Sequence, residues 1–401
     1  MSVPTILTLK WGILATGRVA ESFAKDLLLD PPPPPPSPSP SLLPSNVKYI
    51  HSLVGVASST SVEIAQAFIT KVKAPPPCAP YGSYESLLAS PGVDIVYIAT
   101  PHSHHFQNAM AALHLGKHVL CEKPLAVSAA QAKKLFALAE AKKRFLMEGL
   151  WTRFLPAGLA VHQLIRGGAI GTITRVFADN SLGMDPRQDF ITGDRMLSPW
   201  LAGGALMDLA VYSLHWVFQA MSPRAKPRYP IKISSAATLD SNSSVDETVT
   251  ILMILPPAAE ATEDPAILAI ASASLRAAGD PDGNTPVVRI QGDKGEIQVF
   301  GPPWRPSRVC VVEREQGSVK VGKSHEVDVS LPNRVYGLRY EADEAAMCIY
   351  YLMKESMTVP WEDTLLRMRV LDSVRRQNRI VFPAEVESLD FPVTLPTKTR
   401  K

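Results

Sequence analysis

The sequence predicts an α/β protein in which a parallel, doubly wound sheet is followed by an α+β domain with a large, mostly antiparallel open sheet. The first 149 residues alternate apolar strand candidates with helices, which is the pattern of a parallel sheet. From about residue 150, strand candidates mostly follow one another, with Gly, Pro and Asn between them. This change predicts two domains, residues 1–149 and residues 150–401.

Buried strands and amphipathic helices define the first domain. Residues 93–99, VDIVYIA, are apolar without alternation, as expected of a parallel strand buried on both faces. Ser128 and Gln131 form the capping-box start of a helix. The predicted strands are 9–14, 49–57, 93–99, 118–121 and 145–149, and the predicted helices are 18–29, 61–71, 104–115 and 128–142.

The second domain mixes helices with a series of short strands. A helix over about 156–167 opens it, and a second helix, 204–220, lies between its first two strands. Two helices, about 337–354 and 362–379, close the chain. The predicted strands are 171–180, 248–255, 267–276, 286–291, 296–300 and 308–313.

Proline is the unusual component, with 36 residues among 401. Residues 31–44 read PPPPPPSPSPSLLP, which cannot continue a helix because proline lacks the amide donor. We expect an extended, solvated insertion in the first domain. Loop-closure entropy grows slowly with length, so the fold can tolerate it.

The composition of the chain indicates which partners and which cellular location to expect. The net charge is +3 with both signs interspersed, so no clustered basic face is expected for nucleic acid. We find no run of about 18 apolar residues and therefore expect no membrane-spanning helix. The N-terminus does not have the form of a signal peptide, and the four cysteines are far apart. We therefore expect a cytoplasmic protein without disulfides or structural zinc.

A small-residue turn follows the first strand. Residues 15–20, ATGRVA, form a G-x-G-x-x-G/A pattern with Ala15 in place of the first glycine. Gly17 lets the backbone approach a pyrophosphate, and the helix that begins at Arg18 and Val19 presents free amides to it. Between a strand and a helix, the pattern predicts a dinucleotide-binding Rossmann domain. A tight turn without a ligand is the alternative.

The end of the second strand bears on the choice of cofactor. An Asp or Glu there would bind the adenosine ribose of NAD, but residues 56–60 read VASST. Ser58, with Arg18 as a nearby cation, can instead hold a 2′-phosphate. NADP is therefore favoured over NAD. Ser58 and Ser59 could also serve as the N-cap of the next helix.

Three further segments, each at a strand end, are more specific. They read ATPHSHH (99–105), GKHVLCEKPL (116–125) and MEGLWTRF (147–154). With the first turn, they resemble the Gfo/Idh/MocA oxidoreductase family, and EGLWTRF resembles its branch of NADP-dependent D-xylose 1-dehydrogenases and dimeric dihydrodiol dehydrogenases. The resemblance extends over nearly the whole chain, including LDSVR at 371–375.

The resemblance implies roles for these residues. Lys123 lies beside the nicotinamide ring and the reacting oxygen of the substrate. GGALMDLAVY, residues 203–212, matches the family's glycine run followed by Asp208 and Tyr212, with Ala205 in place of a third glycine. Cofactor contacts are implied for Thr100, Pro101, His102, Glu122, Lys123, Pro124, Trp151 and Arg153.

Asp208 and Tyr212 are candidate catalytic residues. Four residues apart in a predicted helix, they share a face. The pKa of a tyrosine in water is about 10, and a nearby Lys123 ammonium favours its phenolate. We predict that Tyr212 takes the substrate proton, that Lys123 tunes Tyr212 and polarises the oxygen, and that Asp208 positions a neighbouring hydroxyl. The nicotinamide accepts the hydride.

Alternatives remain beside these assignments. Tyr212 could be a core residue, and His215 is more readily a packed histidine than a catalyst. The histidines of the ATPHSHH segment come without a set of carboxylate or cysteine partners, so no metal is predicted. Trp151 and Trp200 could be substrate platforms or core aromatics.

The implied function is oxidation of C1 of an aldose, such as D-xylose, to the lactone with NADP. The alternatives are a trans-dihydrodiol dehydrogenase or carbonyl reductase, and a non-catalytic NADP-binding regulator. The expected partners are a small sugar or diol and a second copy of the chain, paired through the sheet of the second domain.

Overall fold

The computed structural model divides the chain into two compact units. The first contains Met1–Phe154, Leu331–Met368 and Pro383–Lys401, and the second contains Leu155–Ser330 and Arg369–Phe382. The C-terminal segments 331–368 and 383–401, which the sequence placed in the second domain, thus fall in the first unit. The structure describes residues 5–29, 47–190, 194–221, 231–256, 265–315, 321–331 and 335–395, so the proline-rich segment 31–44 lies outside the described residues.

The first unit is built on a six-stranded parallel sheet, which confirms the predicted fold class. The strand order is β3-β2-β1-β4-β5-β6, the order of a Rossmann fold with its switch point between β1 and β4. The strands are β1 (Thr5–Leu14), β2 (Val47–Ala57), β3 (Ala79–Tyr81), β4 (Ile95–Ile98), β5 (His118–Glu122) and β6 (Leu146–Gly149).

Helices accompany this sheet, as the alternating pattern predicted. Ser128 caps its helix as expected, because its side chain accepts the Gln131 amide at 3.2 Å. The Gln131 side chain in turn accepts the Val127 amide. The helices of this unit are α1 (Arg18–Leu27), α2 (Val62–Val72), α3 (Tyr84–Leu88), α4 (His102–His114), α5 (Ala129–Lys142), α8 (Arg339–Tyr350), the first part of α9 (Trp361–Asn378) and α10 (Ala384–Glu387).

Edge strand β6 explains why a C-terminal segment belongs to the first unit. The Leu146 amide donates to the Lys354 carbonyl at 3.0 Å, and the Leu146 carbonyl accepts the Trp361 indole N–H at 2.8 Å. The Trp361 ring also stacks on Phe136 of α5. A segment distant in sequence thus satisfies the backbone of a strand that would otherwise be an open edge.

The second unit is an eight-stranded, mostly antiparallel sheet, also as predicted. Its order is β14-β13-β12-β11-β7-β10-β9-β8, and of these pairs only β7 with β10 is parallel. The strands are β7 (Ile173–Ser181), β8 (Lys232–Leu239), β9 (Asp246–Leu255), β10 (Ile267–Ser274), β11 (Val288–Gly292), β12 (Gly295–Phe300), β13 (Arg308–Arg314) and β14 (Val321–Val327).

Two helices of the second unit are α6 (Pro156–Arg166) and α7 (Val211–Met221). A π-helical turn, Leu206–Ala210, leads directly into α7. The stretch Pro199–Met221 is apolar and long enough to pass a length-and-composition test for a membrane span. We had expected no such helix, because the sequence has no unbroken run of about 18 apolar residues. The 18-residue window that passes the test is entirely buried within the described protein, as in a core helix.

Strands β3, β8 and β14 were missed by sequence analysis. β3 has only three residues, and β8, KISSAATL, is an edge strand whose residues are all exposed or half-buried. Such strands lack the apolar run or clear alternation by which a strand is recognised.

Candidate functional site

The turn after β1 has the shape that a dinucleotide requires. Ala15 adopts φ 86°, a left-handed conformation that favours glycine, and its amide donates to the Ala57 carbonyl at the end of β2. Gly17 is the N-cap of α1, and a Cβ built on it meets no atom of a described residue outside its chain neighbours within 4 Å. The open space in front of a helix N-terminus fits a pyrophosphate. Arg18 is exposed beside it.

Ala15→Gly is expected to stabilise the protein. A left-handed residue other than glycine is strained by roughly 1–2 kcal/mol, and part of that gain is offset by the entropy of glycine in the unfolded chain. We expect a net increase of about 0.5–1 kcal/mol in the free energy of unfolding, measured by urea denaturation. Ala20→Gly, at a buried helical position of α1, is the matched control and should destabilise. A loss of stability in Ala15→Gly would contradict the assignment of strain.

The end of β2 places hydroxyls where an acidic residue would select NAD. Ser58 is buried, and its Oγ lies 2.9 Å from the Thr60 hydroxyl and accepts the Thr60 amide at 3.2 Å. The N-cap alternative for Ser58 and Ser59 is wrong, because Ser61 caps α2 by accepting the Ile64 amide. The two serines therefore belong to a turn that precedes the helix.

The Thr-Pro-His turn after β4 is tied to the Glu-Lys-Pro turn after β5. Pro101 is the N-cap of α4, and His102 is the first residue of that helix. The His105 ring lies 2.8 Å from the carbonyls of both Thr100 and Pro124. Burial lowers the pKa of His105 to about 3, so the ring is neutral and donates to one carbonyl at a time. His105 is therefore a structural bridge between two predicted cofactor-binding turns.

Glu122 and Lys123 stand at the carboxyl end of β5. The Tyr97 hydroxyl donates a short hydrogen bond to Glu122 Oε1, and the Lys123 amide donates to Oε2 at 3.2 Å. Tyr97 is itself stacked on Phe23 of α1, with ring centroids 3.8 Å apart. The carboxylate thus holds the backbone from which the Lys123 side chain projects.

A buried ion pair supports the same turn from β6. Glu148 Oε2 accepts the Arg367 guanidinium at 2.5 Å and the Thr364 hydroxyl at 2.7 Å. Glu148 Oε1 accepts the Leu125 amide at 3.2 Å. The side chains of Glu148 and Arg367 are each 1% exposed. Arg367 could not be recognised from the sequence as a site residue, because a charged residue in an amphipathic C-terminal helix gives no local sign of being buried.

Glu341 of α8 is a second carboxyl beside this turn. It is fully buried, and neither of its oxygens has a hydrogen-bond partner among the described residues. Its Oε2 lies 3.5 Å from the position that a Cβ on Gly149 would take. Burial, together with the charge of Glu122, raises the pKa of Glu341 well above its ordinary value. Folding therefore favours the protonated acid.

Glu341→Gln should stabilise the protein increasingly as the pH rises. The raised pKa means that wild-type folding requires proton uptake above the unfolded pKa, and this penalty grows until the pH reaches the folded pKa. The stability difference should widen by about 1.4 kcal/mol per pH unit above about pH 5. Urea unfolding at several pH values measures it, with the exposed Glu385→Gln as control. A difference independent of pH would contradict the prediction.

Trp151 and Arg153 form a short 3₁₀ turn after β6. The buried Trp151 ring stacks on Tyr336, with centroids 5.1 Å apart, and the Tyr336 amide donates to Asp26. The Arg153 guanidinium donates to the Thr358 carbonyl at 2.8 Å and to Asp363 at 3.0 Å. Trp151 thus has an aromatic neighbour that sequence analysis missed, and Arg153 anchors a C-terminal segment. Their contacts with a cofactor stay predictions.

In the second unit, Asp208 lies within the π-helical turn and not in a regular α-helix. The relation of Asp208 to Tyr212 is therefore not the simple i, i+4 spacing of the prediction, since a π turn bonds i to i+5. Arg195 was missed by sequence analysis and engages both Asp208 oxygens, at 3.1–3.3 Å. The Asp208 side chain is 10% exposed and that of Arg195 45% exposed.

Tyr212 is the second residue of α7 and is 6% exposed. The centroid of its ring lies 6.4 Å from that of Trp304. His215 is fully buried beside Trp216, which favours the packed-histidine interpretation. Lys123 belongs to the first unit and Tyr212 to the second. Their joint role in one reaction stays a prediction.

No group of three or more His, Cys, Asp or Glu side chains is placed to hold a metal ion within the part of the chain that the structure describes. The predicted absence of a metal stays a prediction.

Comparison with known proteins decides the family. Residues 39–150 match the family model described as "Oxidoreductase family, NAD-binding Rossmann fold", GFO_IDH_MocA. The chain is 41% identical to a D-xylose 1-dehydrogenase (NADP(+)) of Hypocrea jecorina, over 98% of this chain and 97% of the relative. The chain belongs to the Gfo/Idh/MocA oxidoreductase family.

More distant members of the family also match nearly the whole chain. The trans-1,2-dihydrobenzene-1,2-diol dehydrogenases of Bos taurus and Homo sapiens are each 29% identical, over 94% of this chain and 99% of theirs. Among solved structures, an aldose-aldose oxidoreductase of Caulobacter crescentus superposes with a TM-score of 0.69, 21% identity and coverage of 93% of this chain and 98% of that chain. That structure shows the same fold. The chain is an oxidoreductase of this family.

Proposed function

We propose that the protein is an NADP-dependent dehydrogenase that oxidises C1 of D-xylose or a similar aldose to the lactone. The observation that carries the proposal is the 41% identity, over nearly the full chain, to a D-xylose 1-dehydrogenase (NADP(+)). The resemblance supports the chemistry, because it implies catalytic roles for Lys123, Asp208 and Tyr212.

The first unit would hold the cofactor through the turn at residues 15–20. The Gly17 amide region and the N-terminus of α1 suit the pyrophosphate, and Ser58 with the exposed Arg18 suits a 2′-phosphate. When bound, the nicotinamide supplies a hydride acceptor. The fixed Thr100–Pro101 and Lys123–Pro124 turns would line its channel, since His105 holds them together.

The chain's own residues handle the proton and the orientation of the sugar. Tyr212 is the proposed base for the C1 hydroxyl proton, and the Lys123 ammonium favours its phenolate and polarises the reacting oxygen. Asp208 accepts a hydrogen bond from a neighbouring sugar hydroxyl. Arg195 fixes the direction of that carboxylate through a bidentate contact.

Tyr212→Phe is expected to lower kcat by about 10²- to 10⁴-fold, the range of general base catalysis. NADP affinity should be unchanged, because the predicted cofactor contacts lie in the first unit. Because the base is lost, the remaining rate should also lose the pH-dependent limb that the tyrosine contributes. Initial rates across pH measure both effects. Full turnover at every pH would show that Tyr212 is not the base.

A panel of substrates tests the proposed function. With NADP present, NADPH should form with D-xylose and more slowly with other aldoses. A trans-dihydrodiol dehydrogenase is the second candidate, supported by the diol dehydrogenase relatives at 28–30% identity. NADPH formation with a trans-dihydrodiol and not with D-xylose would favour it. No reaction with any sugar or diol, together with tight NADP binding, would favour a non-catalytic regulator.

We further propose a homodimer that pairs through the outer face of the second unit's sheet. Leu252, Ile254 and Leu268 are each about 40% exposed on neighbouring strands β9 and β10, and Leu268 is the cross-strand partner of Ile254. Light scattering of the double variant Leu252→Lys with Ile254→Lys should then give a monomer where the wild type gives a dimer.

We also propose a cytoplasmic location, supported by the absence of disulfides among the cysteines of the described chain.

A further inference from the structure

Asp246 occupies an unusual position in the second unit. It is the first residue of β9, it is fully buried, and its Oδ2 accepts the Leu206 amide at 2.5 Å. Leu206 is the first residue of the π-helical turn that contains Asp208. The carboxyl therefore contacts the backbone at the point where this turn begins.

The glycine run is shaped around this carboxyl. Gly204 has φ +109°, and a Cβ built on it would stand 2.2 Å from Asp246 Oδ1. Ala205, in contrast, has an ordinary helical φ of −65°, which explains why alanine is tolerated there. Close approach of Asp246 to the backbone thus requires glycine at residue 204 and not at residue 205.

The opposite side of the glycine run contacts the segment that carries Arg195. A Cβ on Gly203 would stand 2.3 Å from the Arg195 carbonyl, and the Gly204 amide donates to the Met196 carbonyl at 2.8 Å. The Asp208 amide donates to the Gly204 carbonyl at 3.3 Å. Both partners of the Asp208–Arg195 pair are therefore attached to the backbone against which Asp246 packs.

We propose that Asp246 is a positioning residue for Asp208: it fixes the start of the π-helical turn by binding the Leu206 amide and packing against Gly204. This inference rests on the proposed role of Asp208 in binding a substrate hydroxyl. Asp246 is not proposed to touch the substrate or the cofactor.

The electrostatic surroundings are consistent with a carboxyl kept for its geometry. Burial raises the pKa of Asp246 to about 7, against the opposing effects of the Leu206 amide and of the Arg375 charge. Arg375, which stacks on Phe382, is the charged side chain that acts on Asp246 from the C-terminal helix. An ionisable group placed at this disadvantage indicates a role that an apolar residue would not fill.

A double-mutant cycle tests the proposal, with D-xylose and NADP as substrates. Asp246→Ala should lower kcat/KM for D-xylose by about 10- to 100-fold, since misplacing a substrate-binding group carries losses of that size. It should leave the KM for NADP unchanged. Asp246→Asn keeps an acceptor for the Leu206 amide and should stay within about threefold of wild type. In an Asp208→Asn background, Asp246→Ala should have little further effect, because the two substitutions remove one function.

Two kinetic results would overturn the proposal: an equal loss from Asp246→Ala in the wild-type and Asp208→Asn backgrounds, or a parallel loss of NADP affinity. Hydrogen–deuterium exchange of residues 204–212 gives a readout that needs no substrate. Asp246→Ala should speed amide exchange there, whereas Asp246→Asn should not, and unchanged exchange in Asp246→Ala would also overturn it. If the wild type fails to oxidise D-xylose, the proposed function fails, and the exchange result alone judges Asp246.

A third measurement covers the case in which Asp246→Ala does not fold. Asp246→Asn should gain thermal stability over wild type as the pH rises from about 4 to about 7, because the raised pKa makes wild type lose stability through that range. A gain that does not depend on pH would contradict a buried carboxyl at the start of the turn.

Discussion

Replacing Lys123 with methionine is expected to abolish NADP reduction while leaving the fold intact. Methionine retains an unbranched stem but removes the ammonium, which in the proposed mechanism favours the Tyr212 phenolate and polarises the reacting oxygen. We expect kcat to fall by about 10³-fold or more, in line with combined losses of acid–base and electrostatic catalysis. The fold should survive, since the Lys123 amide, which donates to Glu122, is retained in the variant.

The comparison needs a control lysine outside the site. Lys133→Met, at an exposed position of α5, should retain wild-type kcat and the same unfolding midpoint. NADP titration of Lys123→Met separates loss of chemistry from loss of cofactor binding. Retention of more than about a tenth of wild-type kcat by Lys123→Met would contradict its catalytic role.

Arg367→Met is expected to have the largest effect on stability. It leaves the Glu148 carboxylate buried, and among the described residues its remaining partners are the Thr364 hydroxyl and the Leu125 amide. Removing one member of a buried ion pair typically costs about 3–5 kcal/mol. Urea unfolding should show that loss. NADP affinity should fall too, because Glu148 holds the backbone two residues after Lys123.

The double variant Glu148→Gln with Arg367→Met separates charge from packing. Removing both charges relieves the unpaired carboxylate, so the double variant should recover at least half of the stability that Arg367→Met loses. If Arg367→Met alone lost less than about 1 kcal/mol, the pair would not be the structural support inferred for this turn.

Much of the first unit could be predicted from local sequence. The run at residues 93–99 contains β4 because a parallel strand buried on both faces needs apolar side chains on both. The turn at Ala15 was recognised despite its alanine, since the surrounding strand and helix carried the pattern. The left-handed φ of Ala15 then shows that the position does call for glycine.

The support of the candidate site was far harder to predict. The residues that support the turns lie far from them along the chain, as Arg367, Glu341 and Tyr336 do. Local sequence periodicity carries no information about such long-range contacts. The second unit adds a different difficulty. The π-helical turn at Leu206–Ala210 depends on Asp246 and Gly204, which packing brings together, so helical spacing alone gave an incomplete account of Asp208.

The placement of the C-terminal segments shows the same limit. Residues 331–368 follow the second sheet in sequence, and continuity favoured assigning them to its domain. Trp361 and Arg367 instead belong to the first unit, because Trp361 binds edge strand β6 and Arg367 binds the buried Glu148. Such long-range satisfaction of polar groups becomes visible only in three dimensions.

This chain is expected to transfer a hydride from C1 of an aldose to NADP. The most direct measurement is the initial rate of cofactor reduction with D-xylose, with NADP and NAD compared side by side at equal concentrations. We predict D-xylose-dependent NADPH formation, with kcat/KM for NADP at least about tenfold above that for NAD, as expected from one favourable contact with the 2′-phosphate. No reduction of NADP by D-xylose, or faster reduction of NAD, would contradict it.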